Sequence, residues 1–135
     1  MTKDYLAKNL AQFEDWSEVE IGILREIWKK LKKTGSKKVE LKLDELKDTC
    51  IVGQEHDTWD SVLETFPKKA IQLGFSKKEP YGEKSIIVVP FISIGIEPDY
   101  NKMTIETIEE SDLGFPVGKE KNIALDFLNT VLTEL

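Results

Sequence analysis

The stretch WSEVEIGILREIWKKLKKTGSKKVELKLDELKD, residues 16–48, decides the fold, because a helix, a strand and a second helix follow one another in it. Ser17 followed by Glu20 has the form of a capping box, and Glu18 also suits a positive helix start. Val19, Ile23, Leu24, Ile27 and Leu31 recur at helical spacing and make one apolar face. Trp16, just before the cap, is placed to staple onto Ile21. Gly35 supplies a left-handed cap, and the lysines before it face the negative helix end. In KVELKL, Val39, Leu41 and Leu43 alternate with Glu40 and Lys42, the pattern of a half-buried strand. LDELKDTC reads as a short helix with Asp44 as its cap.

Working outward, residues 1–15 read as a short helix or a docked arm. Gly53 ends the second helix, and QEHDTWDSVLETFPKKAIQLG reads as a third, with Trp59, Val62, Leu63, Phe66 and Ala70 on one side. Pro67 removes a helical hydrogen bond and is expected to kink or divide it. The period then changes. One strand is expected through GFSKK. A second, SIIVVPFISIGIEP, reads as long and nearly continuously apolar, with Pro90 and Gly95 as bulge or edge positions. DYNK is a turn. MTIETIEE is an alternating strand with Met103, Ile105 and Thr107 on one face. KEKNIALDFLNTVLTEL reads as a terminal helix. Helix, strand, helix, helix, strand, strand is the chain order of a winged helix, in which the second and third helices form a helix-turn-helix. The expectation is therefore an α+β single domain over residues 1–135, a winged helix with an additional C-terminal helix.

The chain has 135 residues, a formal charge of −6 and 40% apolar residues, which suits one domain with a core. This balance argues against a general nucleic-acid coat, which needs a positive field. The charge is uneven. Residues 25–38 carry Arg25, Lys29, Lys30, Lys32, Lys33, Lys37 and Lys38 against Glu26 alone, whereas residues 97–135 carry nine acids and three bases. The single cysteine, Cys50, rules out an internal disulfide, and a reducing compartment follows. The first residues lack a signal-peptide pattern, and the longest apolar run, IIVVPFI, is too short to span a bilayer. A soluble cytoplasmic protein without a membrane partner is expected.

Few residues point to chemistry. His56, the only histidine, lies in EHD among acids and reads as a surface or capping residue. Cys50 reads as a packed thiol. Asp57, Asp60 and Glu64, and Glu106, Glu109, Glu110 and Asp112, are acid clusters that read as solvated faces. The glycines are scattered and form no phosphate-cradling loop. No catalytic residue, metal site or cofactor is expected, and the protein is read as a non-enzyme. Trp16, Trp28 and Trp59 read as core, with a partner surface as the alternative. The basic run reads either as cations favoured at a helix C-terminus or as phosphate contacts that position a domain without reading sequence. The third helix, which a winged helix would place in the major groove, opens with Glu55, His56, Asp57, Thr58 and Asp60, and the carboxylates among these would repel phosphate.

In its ordering, the chain resembles the N-terminal winged helix of the replication initiator (Rep) family of iteron-bearing plasmids. The segments that carry the resemblance are WSEVEIGILREIWKKLKKTG, KKVELKLDELKDT, TWDSVLETFPKKAIQLGF and SIIVVPFISIGIEPDYNKMTIETIEE, within residues 5–112. The resemblance implies a mobile-element protein of plasmid replication, a homodimer that touches the backbone of duplex DNA; the basic run offers Lys29, Lys30, Lys32, Lys33, Lys37 and Lys38 for that contact. A host or replication protein is a further candidate partner. Two departures stand beside it. The helix 119–135 falls where the family's second winged helix would begin, leaving an excised domain or a small relative with another task, and the chain is acidic. A small acidic inhibitor of a host nuclease, of the anti-CRISPR or anti-restriction DNA-mimic kind, is therefore the alternative. A protein-interaction module using strand 86–96 and the terminal helix is a third.

Overall fold

Helix α1, Glu18–Thr34, is the element around which the others pack. The computed structural model describes residues 9–35, 37–50, 59–78, 85–107 and 123–134. Both halves of the α1 capping box form: Ser17 Oγ accepts the Glu20 N–H at 3.2 Å, and Glu20 Oε1 accepts the Ser17 N–H at 2.9 Å. Gly35 closes the helix at φ 65°, donating its N–H to the Leu31 carbonyl at 2.9 Å. At that φ a β-carbon is strained, so glycine is the residue that fits. Val19, Ile23, Leu24, Ile27 and Leu31 are all buried.

After α1 the described residues give β1 (Lys38–Lys42), α2 (Leu43–Cys50), α3 (Trp59–Ile71), β2 (Phe75–Lys78), β3 (Ser85–Val88), β4 (Phe91–Glu97), β5 (Lys102–Thr107) and α4 (Ile123–Glu134). The class is α+β. An antiparallel sheet has the order β1–β5–β4, and β2 and β3 form a separate antiparallel pair. Val39 lies opposite Ile105, which lies opposite Ile94. Met103, Ile105 and Thr107 turn one face of β5 into the core, as period-two alternation requires. Thr107 is a buried polar residue, and both its N–H and its hydroxyl are satisfied by the Lys37 carbonyl, at 2.7 and 3.0 Å.

Three expectations change here. Residues 85–98 are two strands in two sheets, broken at Val89 and the buried Pro90. Proline has no N–H to give a ladder, so the chain leaves one sheet there and enters the other. Pro67 lies inside α3 without dividing it; Trp59, Val62, Phe66 and Ala70 are buried on either side of it and hold the helix together. Asp44 does not stand ahead of α2 but within its first turn, and the end is capped from elsewhere, as described below. Gly53, Glu55, His56, Asp57, Glu109, Glu110 and Asp112 lie outside the described residues.

Residues 11–13 form a 3-10 turn that buries Phe13, so this part of the N-terminal segment is docked. Gln12 Oε1 accepts the Gly74 N–H at 3.0 Å. The Trp16 ring meets Phe13 at 4.8 Å and Phe66, edge-on, at 5.8 Å. Leu128, Val131 and Leu132 bury one side of α4, which packs against α1. That side is taken up by the core rather than offered as a surface.

An ion pair between buried Glu20 and half-buried Lys69 joins α1 to α3. Glu20 is 3% exposed. Lys69 Nζ donates to its Oε1 at 3.0 Å and to the Asp15 carbonyl at 2.8 Å, and Thr65 Oγ1 donates to its Oε2 at 3.2 Å. Burial raises the Glu20 pKa, but the hydrogen bonds from Ser17 and Lys69 outweigh it, and the carboxyl titrates below its ordinary value. Among the described residues no helix is long and apolar enough to cross a membrane.

Candidate nucleic-acid interface

On α1, residues 26, 29, 30 and 33 fall at i, i+3, i+4 and i+7 and so share one face. That face carries Glu26, Lys29, Lys30 and Lys33. Together with the Glu40–Lys42 end of β1, one side of α2 and the Tyr100–Lys102 turn, it lines an open groove of about 690 Å³. Five lysines, Lys29, Lys30, Lys33, Lys42 and Lys102, converge there against Glu26, Glu40 and Glu45. Two of the five are partly neutralised: Lys29 pairs with Glu26 at 3.2 Å, and Lys102 lies 3.6 Å from Glu40 and 3.9 Å from Glu97. Among the described residues, Lys30, Lys33 and Lys42 form no salt bridge. They are solvent-exposed.

The groove wall opposite α1 is held by Asn101. It sits in the left-handed region at φ 52°, a conformation asparagine tolerates better than most residues. Its backbone carbonyl accepts the Leu43 N–H at 3.1 Å, and its side-chain Oδ1 accepts the Asp44 N–H at 2.8 Å. The first N–H groups of α2 are therefore satisfied by the turn between β4 and β5. The Asp44 carboxylate accepts the Glu45 N–H at 2.8 Å. The Asn101 side chain, its chief hydrogen-bond partner, holds its pKa below the ordinary aspartate value, and Lys42 adds to this.

The six lysines expected from the sequence to meet DNA do not act as one set. Lys29, Lys30 and Lys33 enter the groove. Lys32 lies on another side of α1, with its ammonium 5.1 Å from the centre of the Trp28 ring, a cation–π contact. Lys37 gives its carbonyl to Thr107, and Lys38 lies opposite Glu106 at the far end of β1. Lys42 and Lys102 were missed. Lys42 as a polar position of KVELKL and Lys102 as the last residue of DYNK are both visible in the sequence, but their meeting with α1 depends on the pairing of β1 with β5.

The described start of α3 is acidic at the surface. Asp60 is exposed, and Glu64 is exposed with Lys68 at 3.9 Å. Trp16 and Trp59 are buried, and Trp28 packs partly buried against the core. Cys50 packs beside Gly22, where a β-carbon would lie 3.5 Å from its Sγ. Burial, with Glu26 nearby, pushes the Cys50 thiol up to about 11. Among the described residues no group of three His, Cys, Asp or Glu side chains is placed to hold a metal ion. Comparisons with protein-family models, with curated proteins and with solved structures find no match to this chain.

Proposed function

We propose that the protein is a winged-helix-type domain of the replication-initiator kind that makes weak, sequence-independent contact with the nucleic-acid backbone through the lysine groove. The observation that carries this is the convergence of Lys29, Lys30 and Lys33 with Lys42 and Lys102, from three separate segments, around one open groove. Lysines held near each other present a positive site on an acidic chain, and such a site positions a backbone without reading bases. The layout agrees: α1, β1, α2 and α3 precede a β4–β5 hairpin that returns to pair with β1, which suits a winged helix with β4–β5 as its wing and β2–β3 as an added hairpin. The exposed Asp60 and Glu64 disfavour α3 as a base-reading helix. Dimerisation and a place in plasmid replication enter from the resemblance alone.

The test is fluorescence anisotropy of labelled random-sequence duplex DNA, with gel filtration of the same sample. With three unpaired lysines engaged, affinity is expected to fall about 40-fold between about 50 and 200 mM salt. A monomer with no salt-dependent binding overturns the proposal.

A second reading rests on the exposed carboxylates of Asp60 and Glu64: an acidic inhibitor that offers α3 to a nuclease. It requires a nanomolar complex that weakens when Asp57, Asp60 and Glu64 are reversed to lysine. An unchanged affinity would remove it.

A further inference from the structure

Tyr100 stands at the rim of the lysine groove and is 75% exposed, the only aromatic among the large apolar side chains exposed in the described residues. A lone exposed tyrosine on a floppy loop would need no explanation. This one sits on a turn fixed at both ends. Pro98 restricts the backbone on one side, and the Asn101 N–H bonds the Pro98 carbonyl at 3.1 Å. On the other, Asn101 is tied to Leu43 and Asp44 of α2. The backbone that carries the ring is therefore held in place two residues before Lys102, and the ring is not used by the core.

An exposed aromatic on a held turn that lines the same groove as the lysines is what an unpaired nucleotide strand can use: lysines take the phosphates, and the ring takes a base face. A duplex keeps its bases stacked inside and has no face to offer. We infer that the groove binds single-stranded nucleic acid in preference to duplex, with one base stacked on Tyr100 and its flanking phosphates on Lys30, Lys33, Lys42 and Lys102. This rests on the groove being the anion-binding site proposed above, and it adds the class of strand bound there.

The experiment compares a labelled oligothymidylate of about ten nucleotides with a duplex of the same length. It uses the full chain, Tyr100→Ala, Tyr100→Phe and the double variant Lys30→Glu, Lys33→Glu. The native chain should bind the single strand about tenfold more tightly than the duplex. Tyr100→Ala should weaken the single strand about tenfold more than the duplex and so remove that preference, while Tyr100→Phe, which keeps a ring to stack on, should retain it. The charge-reversed variant should lose both ligands. Equal affinity of the native chain for the two, or an equal loss of both in Tyr100→Ala, overturns the stacking inference and leaves backbone contact standing. Binding to neither overturns both.

Discussion

Asn101 Oδ1 accepts the Asp44 N–H at 2.8 Å, so a side chain in the β4–β5 turn caps a helix that lies 57 residues earlier in the chain. Replacing Asn101 with glycine keeps the left-handed backbone but removes the side-chain acceptor. Loss of that hydrogen bond should cost up to about 1 kcal/mol in urea denaturation. Asn101→Ala should cost about 1 kcal/mol more, because alanine is strained where glycine is not. Equal losses for the two variants would show that the φ of 52° is not what the position demands.

The Glu20–Lys69 pair gives a second expectation. Lys69→Met leaves a buried carboxylate short of its cation, with Ser17 and Thr65 still bonded to it. A cost of about 2 kcal/mol is expected. Adding Glu20→Gln should recover part of it, since the stranded charge is then gone. A simple sum of two losses would contradict this coupling.

Glu20 also sets a direction with pH. Its folded pKa lies below the ordinary 4.5, so the unfolded chain takes up the proton first as acid is added. The stabilisation is present in full above the ordinary value and is lost as pH falls through the folded value. Urea midpoints measured from neutral pH downward should fall less steeply for Glu20→Gln than for the native chain. Parallel profiles would mean that Glu20 is not held in its charged form.

Gly22 lies inside α1, and a β-carbon there would make ordinary contact with Cys50. Gly22→Ala should therefore stabilise the protein by up to about 1 kcal/mol through helix propensity. A loss of stability would mean that α1 and α2 approach more closely at that point.

Much of the fold was legible where local signals were complete. Ser17, Glu20 and Gly35 marked both ends of α1 through capping chemistry that acts within a few residues. Met103, Ile105 and Thr107 announced the buried face of β5 through simple alternation. The break at Val89 and Pro90 was misread because an apolar run has the same composition whether it stays in one sheet or crosses between two. Asn101 went unnoticed as a cap because its partner is distant in sequence. Glu20 was read for its local bond to Ser17, while its larger partnership with Lys69 depends on the packing of α3. The site was half legible: the charge of the α1 face could be counted, and helical spacing alone turns Lys32 away from residues 26, 29, 30 and 33, but only β1–β5 pairing brings Lys42 and Lys102 to that face and leaves Lys38 at the far end of β1.

Binding at the groove depends on where in the basic run the charge lies. Anisotropy with labelled nucleic acid at about 50 mM salt should be measured for two charge-reversed proteins of equal net charge. One carries Lys30→Glu and Lys33→Glu, in the groove. The other carries Lys32→Glu and Lys37→Glu, outside it. The first is expected to lose binding at least tenfold more than the second. Equal losses would mean that the chain responds to overall charge alone, and the groove would not be the site.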